Sequence, residues 1–151
     1  MNPNSFRAAK LAVNSAEQRR ALLHACERVL DSAEHTRSEL TPGCGSDPRE
    51  CERHIAEASA LQAELHGGCS TVAVGLGIAG RVGGSLAELI ETEMRERVHS
   101  ADVAPAGAQI RRAAGLMWTL VALDAEVGRE ILPAAQSAPQ PAHISAQATG
   151  V

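Results

Sequence analysis

Apolar positions recur at helical spacing through most of the chain. From residue 5 to 40, Leu11, Ser15, Gln18, Leu22, Cys26, Val29, Ala33 and Leu40 follow one face, and Leu23 and Leu30 widen it. This pattern predicts one long helix, with a re-capping point at Asn14 or Ser15 inside "NSAEQ". "TPGCGS" (41–46) breaks the pattern with Pro42, Gly43 and Gly45. "DPRE" then predicts a start, with Asp47 as N-cap, Pro48 at the first helical position and Glu50 completing a capping box. Cys51, Ile55, Ala58, Leu61 and Leu65 face inward as far as His66, and Gly67 and Gly68 stop the helix. The short connection predicts an antiparallel helical hairpin over 5–66.

Two further helices are expected, over about 70–99 and 102–132. On the last, Ile110, Ala113, Met117, Leu120, Val121, Asp124, Val127 and Ile131 share a side, and Pro133 ends it. "AAQSAPQPAHISAQATGV" has no apolar period and is expected to be disordered. The expectation is therefore an all-α fold: an antiparallel four-helix bundle in a single domain, 1–132, with a disordered tail, 133–151.

The stretch "TVAVGLGIAGRVGGSLAELI" (71–90) complicates the third helix. Its Gly75, Gly77 and Gly80 form a G-x-G-x-x-G, and "VAVGLGIAG" resembles the dinucleotide fingerprint of flavin- and nicotinamide-binding Rossmann proteins. That resemblance implies a strand, a glycine turn and a pyrophosphate at a helix N-terminus. The surroundings oppose it. "RVHSADVAP" is too polar for a following buried strand, and Glu91 and Glu93 sit on the helix. From Gly67 to Ala87 the only charge is Arg81, so a membrane-inserting segment over 70–90 is an alternative. "LHGGCSTVAV" also resembles the approach to the membrane-inserting helices of apolipoprotein L proteins, a likeness confined to those residues. The favoured explanation is helix packing. Ala73, Gly77, Gly80, Gly84 and Ala87 step by four and three along one face, beside a bulkier stripe of Val72, Leu76, Ala79, Gly83, Leu86 and Ile90. The small face is expected to let a neighbouring backbone approach. The capping box at Ser85–Glu88 permits a rival with irregular chain before Ser85.

Composition sharpens the fold and narrows the function. With one Trp, one Phe and no Tyr, the core must be built from Ala, Leu and Val, which disfavours an all-β domain. A net charge of −4 with scattered arginines argues against nucleic acid as a partner. Thirteen Arg against the single Lys10 is a signature of GC-rich coding. The N-terminus lacks an apolar signal core, so a cytoplasmic location with reduced thiols is expected; signal-less export remains compatible.

All four Cys and four of six His lie between residues 24 and 69. "CERH" and "HGGC" read as a finger-like C-x2-H-x11-H-x2-C. However, His54 and His66 stand ~18 Å apart along one helix and cannot share a metal. The hairpin instead groups His35, Cys44, Cys51 and His54 into a Cys2His2 set suited to zinc. His24, Cys26, His66 and Cys69 gather more loosely at the other end. Cys44–Cys51 is also a candidate disulfide. Asp124, placed inward, requires a partner such as Arg20 or Arg97. No nucleophile elbow, P-loop, His-Glu-x-x-His or Glu-x-x-His pair occurs.

The sequence thus favours a small non-catalytic helical interaction protein, an adaptor, regulator, inhibitor or effector that binds another protein and has no cofactor. Trp118 and Met117 are its expected contact residues; self-association is compatible with this. The alternatives are a zinc-binding bundle and a membrane-active protein.

Overall fold

The computed structural model describes residues 6–40, 47–99 and 104–136. Its elements, in chain order, are β1 (Ala8–Ala12), α1 (Ala16–Ser38), α2 (Pro48–His66), β2 (Thr71–Gly75), α3 (Leu76–His99) and α4 (Ala104–Gln136). The molecule is mostly helical, as expected, with a small two-stranded sheet that corrects the expected helix bounds at two places.

The first correction is at the N-terminus, where a strand replaces the start of the expected helix. In β1, Ala9 and Leu11 are buried while Lys10 and Ala12 are exposed, the period-two alternation of a strand. β1 pairs antiparallel with β2 so that Leu11 faces Val72 and Ala9 faces Val74. Two bonds extend the ladder: Val13 N–H donates to the Ser70 carbonyl (2.8 Å) and Leu76 N–H to the Arg7 carbonyl (2.9 Å). The partner strand lies beyond two helices in sequence, so no local pattern reveals it. Leu11 fits both a helical stripe and a strand, and only the tertiary pairing decides between them.

The second correction is the start of α3: residues 71–75 are strand, and helix begins at Leu76. The caps of the first two helices follow local rules. Ser15 caps α1, its Oγ accepting from Gln18 N–H at 3.1 Å, while Gln18 Oε1 accepts from Asn14 N–H at 2.7 Å. Asp47 Oδ1 accepts from Arg49 N–H at 2.9 Å, with Pro48 following. Glu50 does not close the expected box; its Oε1 instead lies 3.8 Å from His54 Nε2. α2 ends in a Schellman arrangement. Cys69 N–H donates to the Glu64 carbonyl and Gly68 N–H to that of Leu65, with Gly68 at φ 77°. Arg19 ties this end to α1 by donating to the carbonyls of Leu65 (2.7 Å) and Cys69 (2.9 Å).

α1 packs against α2 and α3, α3 against α4, β2 against α2 and β1 against α4. One apolar core draws on all of them, through Leu11, Leu22, Cys26, Leu61, Leu65, Val72, Ile78, Leu86 and Leu123. α4 continues through Pro133 to Gln136, past the expected stop. The remainder of the expected tail, 137–151, lies outside the described residues.

Candidate functional site

The G-x-G-x-x-G stretch runs from strand directly into helix, but the space beside Gly75 and Gly77 belongs to a side chain of the same protein. Glu57 reaches from α2 to the junction of β2 and α3. A Cβ on Gly75 would lie 2.5 Å from Glu57 Cδ, and one on Gly77 2.6 Å from its Oε2. Neither glycine has a positive φ, so room rather than backbone freedom requires them. The first turn of α3 contains no acid of its own. The Gly77 N–H, in that first turn, lies against the Glu57 carboxylate, where the positive end of the helix dipole favours negative charge.

Glu57 is only 3 % exposed, and among the described residues its Oε2 has no hydrogen-bond partner. Burial raises its pKa above the ordinary carboxylate range; the Gly77 amide and then Arg53 oppose that shift without cancelling it. One α2 face does similar work at β2, where Glu64 Oε1 accepts from Ala73 N–H at 3.2 Å. The seat that a pyrophosphate takes in a dinucleotide fold is filled here by an internal carboxylate.

Among the described residues, the small-residue stripe does not form a packing seam. Ala73 lies in β2, and Gly77 sits over Glu57. Gly80, Gly84 and Ala87 are exposed, and among the described residues a Cβ on Gly80 or Gly84 would meet nothing within 4 Å. α3 turns the bulkier stripe inward instead: Ala79, Gly83 and Leu86 are buried, joined by Ile78 and Val82. The apolar side chains have more surface to remove from water, and they set the rotation of the helix.

The zinc set is only partly described, because Cys44 lies outside the described residues. His35 is exposed, with Nε2 3.4 Å from Glu39 Oε1. Cys51 and His54 are buried on α2, and burial, then Arg81, hold the His54 imidazole below its ordinary pKa against the opposing pull of Glu50. Among the described residues, no group of three or more His, Cys, Asp or Glu side chains could hold a metal. Cys26 is a core residue, as the packing pattern predicts, and burial followed by the Glu27 charge pushes its thiol up to about 12. Cys26, Cys51 and Cys69 are free thiols. Among the described residues, no helix is long and apolar enough to cross a membrane.

α4 gives the clearest candidate surface. Its core face is Ala113, Leu116, Thr119 and Leu123, with Leu120 and Val127 half-buried. Four residues of the expected inward line, Ile110, Met117, Val121 and Ile131, are exposed instead. Asp124 is exposed too, and among the described residues it has no ion-pair partner, so no buried charge has to be neutralised. Trp118 is 73 % exposed and Met117 52 %. Met94 of α3 joins Ile110, Ala114 and Met117 around a shallow apolar recess of about 120 Å³.

Sequence reasoning missed Glu57 altogether. The available signal was its position, three residues after His54 and four before Leu61, on the face that α2 buries. An acid in a core register ahead of a glycine pair is a cue that periodicity alone does not weigh. No protein-family profile, curated protein or solved structure matches the chain.

Proposed function

We propose that this is a small non-catalytic helical interaction protein that binds another protein through the outward face of α4. In this reading the four helices form an antiparallel bundle that holds the face rigid. The observation that carries it is the exposure on α4 of Trp118, the chain's only tryptophan, together with Ile110, Met117 and Val121; Trp118 lies toward β1, with Lys10, Leu11, Gly115 and Ala122, while Ile110 and Met117 lie toward Met94 of α3. Large apolar side chains left in solvent mark interaction surfaces, and tryptophan is enriched among the residues that anchor them. Ile110, Ala114, Met117 and Val121 step by four, three and four, the spacing with which one helix meets another. The partner element suited to it is an amphipathic helix. The exposed side chains offer apolar contact area, with Glu93 and Gln109 at the wall of the adjoining recess, which supports binding.

The test is affinity capture with wild type, Trp118→Glu, Met117→Glu and the control Asp31→Lys, which changes charge on exposed α1. All four should keep the same circular dichroism and melting temperature. The reading expects a protein retained by wild type and control and lost from both α4 variants. Equal retention by all four, or no retained protein, overturns it.

A further inference from the structure

A second site lies on the opposite flank of α3. Between α1 and α3 runs a groove of about 270 Å³, lined by Arg28 and Ser32 from α1 and by Arg81, Gly84, Ser85 and Glu88 from α3. Arg28 is ion-paired with Glu88 across it. Arg81 Nη1 donates to Ser32 Oγ at 3.4 Å and, among the described residues, has no carboxylate partner. Ser85 is 6 % exposed, and among the described residues its Oγ has no hydrogen-bond partner. Gly84 adds room, because a Cβ there would meet nothing within 4 Å.

These features specify the chemistry of a ligand. Two guanidiniums face one carboxylate, so the groove favours an anion. Guanidinium forks match oxyanions, and hydrogen bonds to a charged acceptor are the stronger kind. A buried hydroxyl left unpaired is costly, and an acceptor placed beside Ser85 removes that cost. Arg28 and Ser32 approach from one helix, Arg81 and Ser85 from the other. A planar carboxylate offers two acceptor atoms; a tetrahedral phosphate offers more and can answer both walls together. We propose that the α1–α3 groove binds a phosphate group, as inorganic phosphate or a small phosphate monoester, through Arg28, Arg81, Ser32 and Ser85. Glu88 competes with that anion for Arg28.

Isothermal titration of the full chain with inorganic phosphate, glycerol phosphate and acetate tests this. Both phosphate compounds should bind more tightly than acetate. If only one of them binds, the site is assigned to that source. Arg81→Ala should weaken binding by about tenfold or more, the usual scale for losing a charge-assisted contact. Glu88→Gln should strengthen binding, an outcome that general loss of structure cannot produce. Glu88 is exposed, so this arm remains decisive even if Arg81→Ala fails to fold. Acetate binding as tightly as phosphate, no heat from either phosphate compound, or an unchanged affinity in Glu88→Gln overturns the proposal.

Discussion

Adding one carbon to Gly75 would drive it into the Glu57 side chain, whereas the same carbon on Gly80 would enter open space. Two glycines of one motif therefore have opposite expected effects. Gly75→Ala should cost about 1–3 kcal/mol of stability, the scale of overpacking. Gly80→Ala should gain up to about 1 kcal/mol, because an exposed helical glycine gives way to the best helix former. Urea unfolding measures both. In an Glu57→Ala background the cost of Gly75→Ala should largely vanish, which a double-mutant cycle reads directly. Glu57 also sets a pH dependence. Its folded pKa is raised, so the folded state holds the proton to higher pH than the unfolded chain does. Stability should be highest below the ordinary carboxylate range and fall as pH rises through the raised value. Glu57→Gln should flatten that fall and be more stable than wild type at neutral pH. A melting series across pH checks the sign.

At the scale of elements, local chemistry was legible and long-range pairing was not. Ser15 and Asp47 announce the starts of α1 and α2, and Gly67–Gly68 announce the end of α2, because caps depend on residues a few positions apart. β1 was invisible because Ala and Leu serve either a helix or a strand, and its partner lies beyond α1 and α2. α4 was mis-rotated for a different reason. It carries two apolar stripes, Leu116–Leu120–Leu123–Val127 and Ile110–Met117–Val121, and periodicity cannot choose between them. Contact with α3 and β1 makes the choice. The two stripes should respond differently to truncation. Leu123→Ala, at a fully buried position, should cost about 2–5 kcal/mol. Val121→Ala, at a position 57 % exposed, should stay within about 0.5 kcal/mol of wild type. Equal costs at the two positions would mean that α4 is rotated the other way. The interaction face emerged only by subtraction, as the apolar surface of α4 left over after the core is filled.

At the scale of the whole molecule, a core of small and aliphatic side chains holds a helical body whose single tryptophan is turned outward. Burying Trp118 would remove more apolar surface from water than burying any other side chain on that face, yet the fold leaves it exposed. The dinucleotide-like motif is absorbed internally by Glu57, so the candidate chemistry shifts to two surfaces: the apolar flank of α4 and the arginine–serine groove beside α3. The proposed function depends on the first. Acrylamide quenching of Trp118 fluorescence, in the free protein and in the presence of the purified captured partner, tests it most directly. The account predicts red-shifted, freely quenched emission from the free protein, and a blue shift with strong protection in the complex. A shielded, blue-shifted tryptophan in the free protein, or one that stays equally quenchable in a saturated complex, would contradict it.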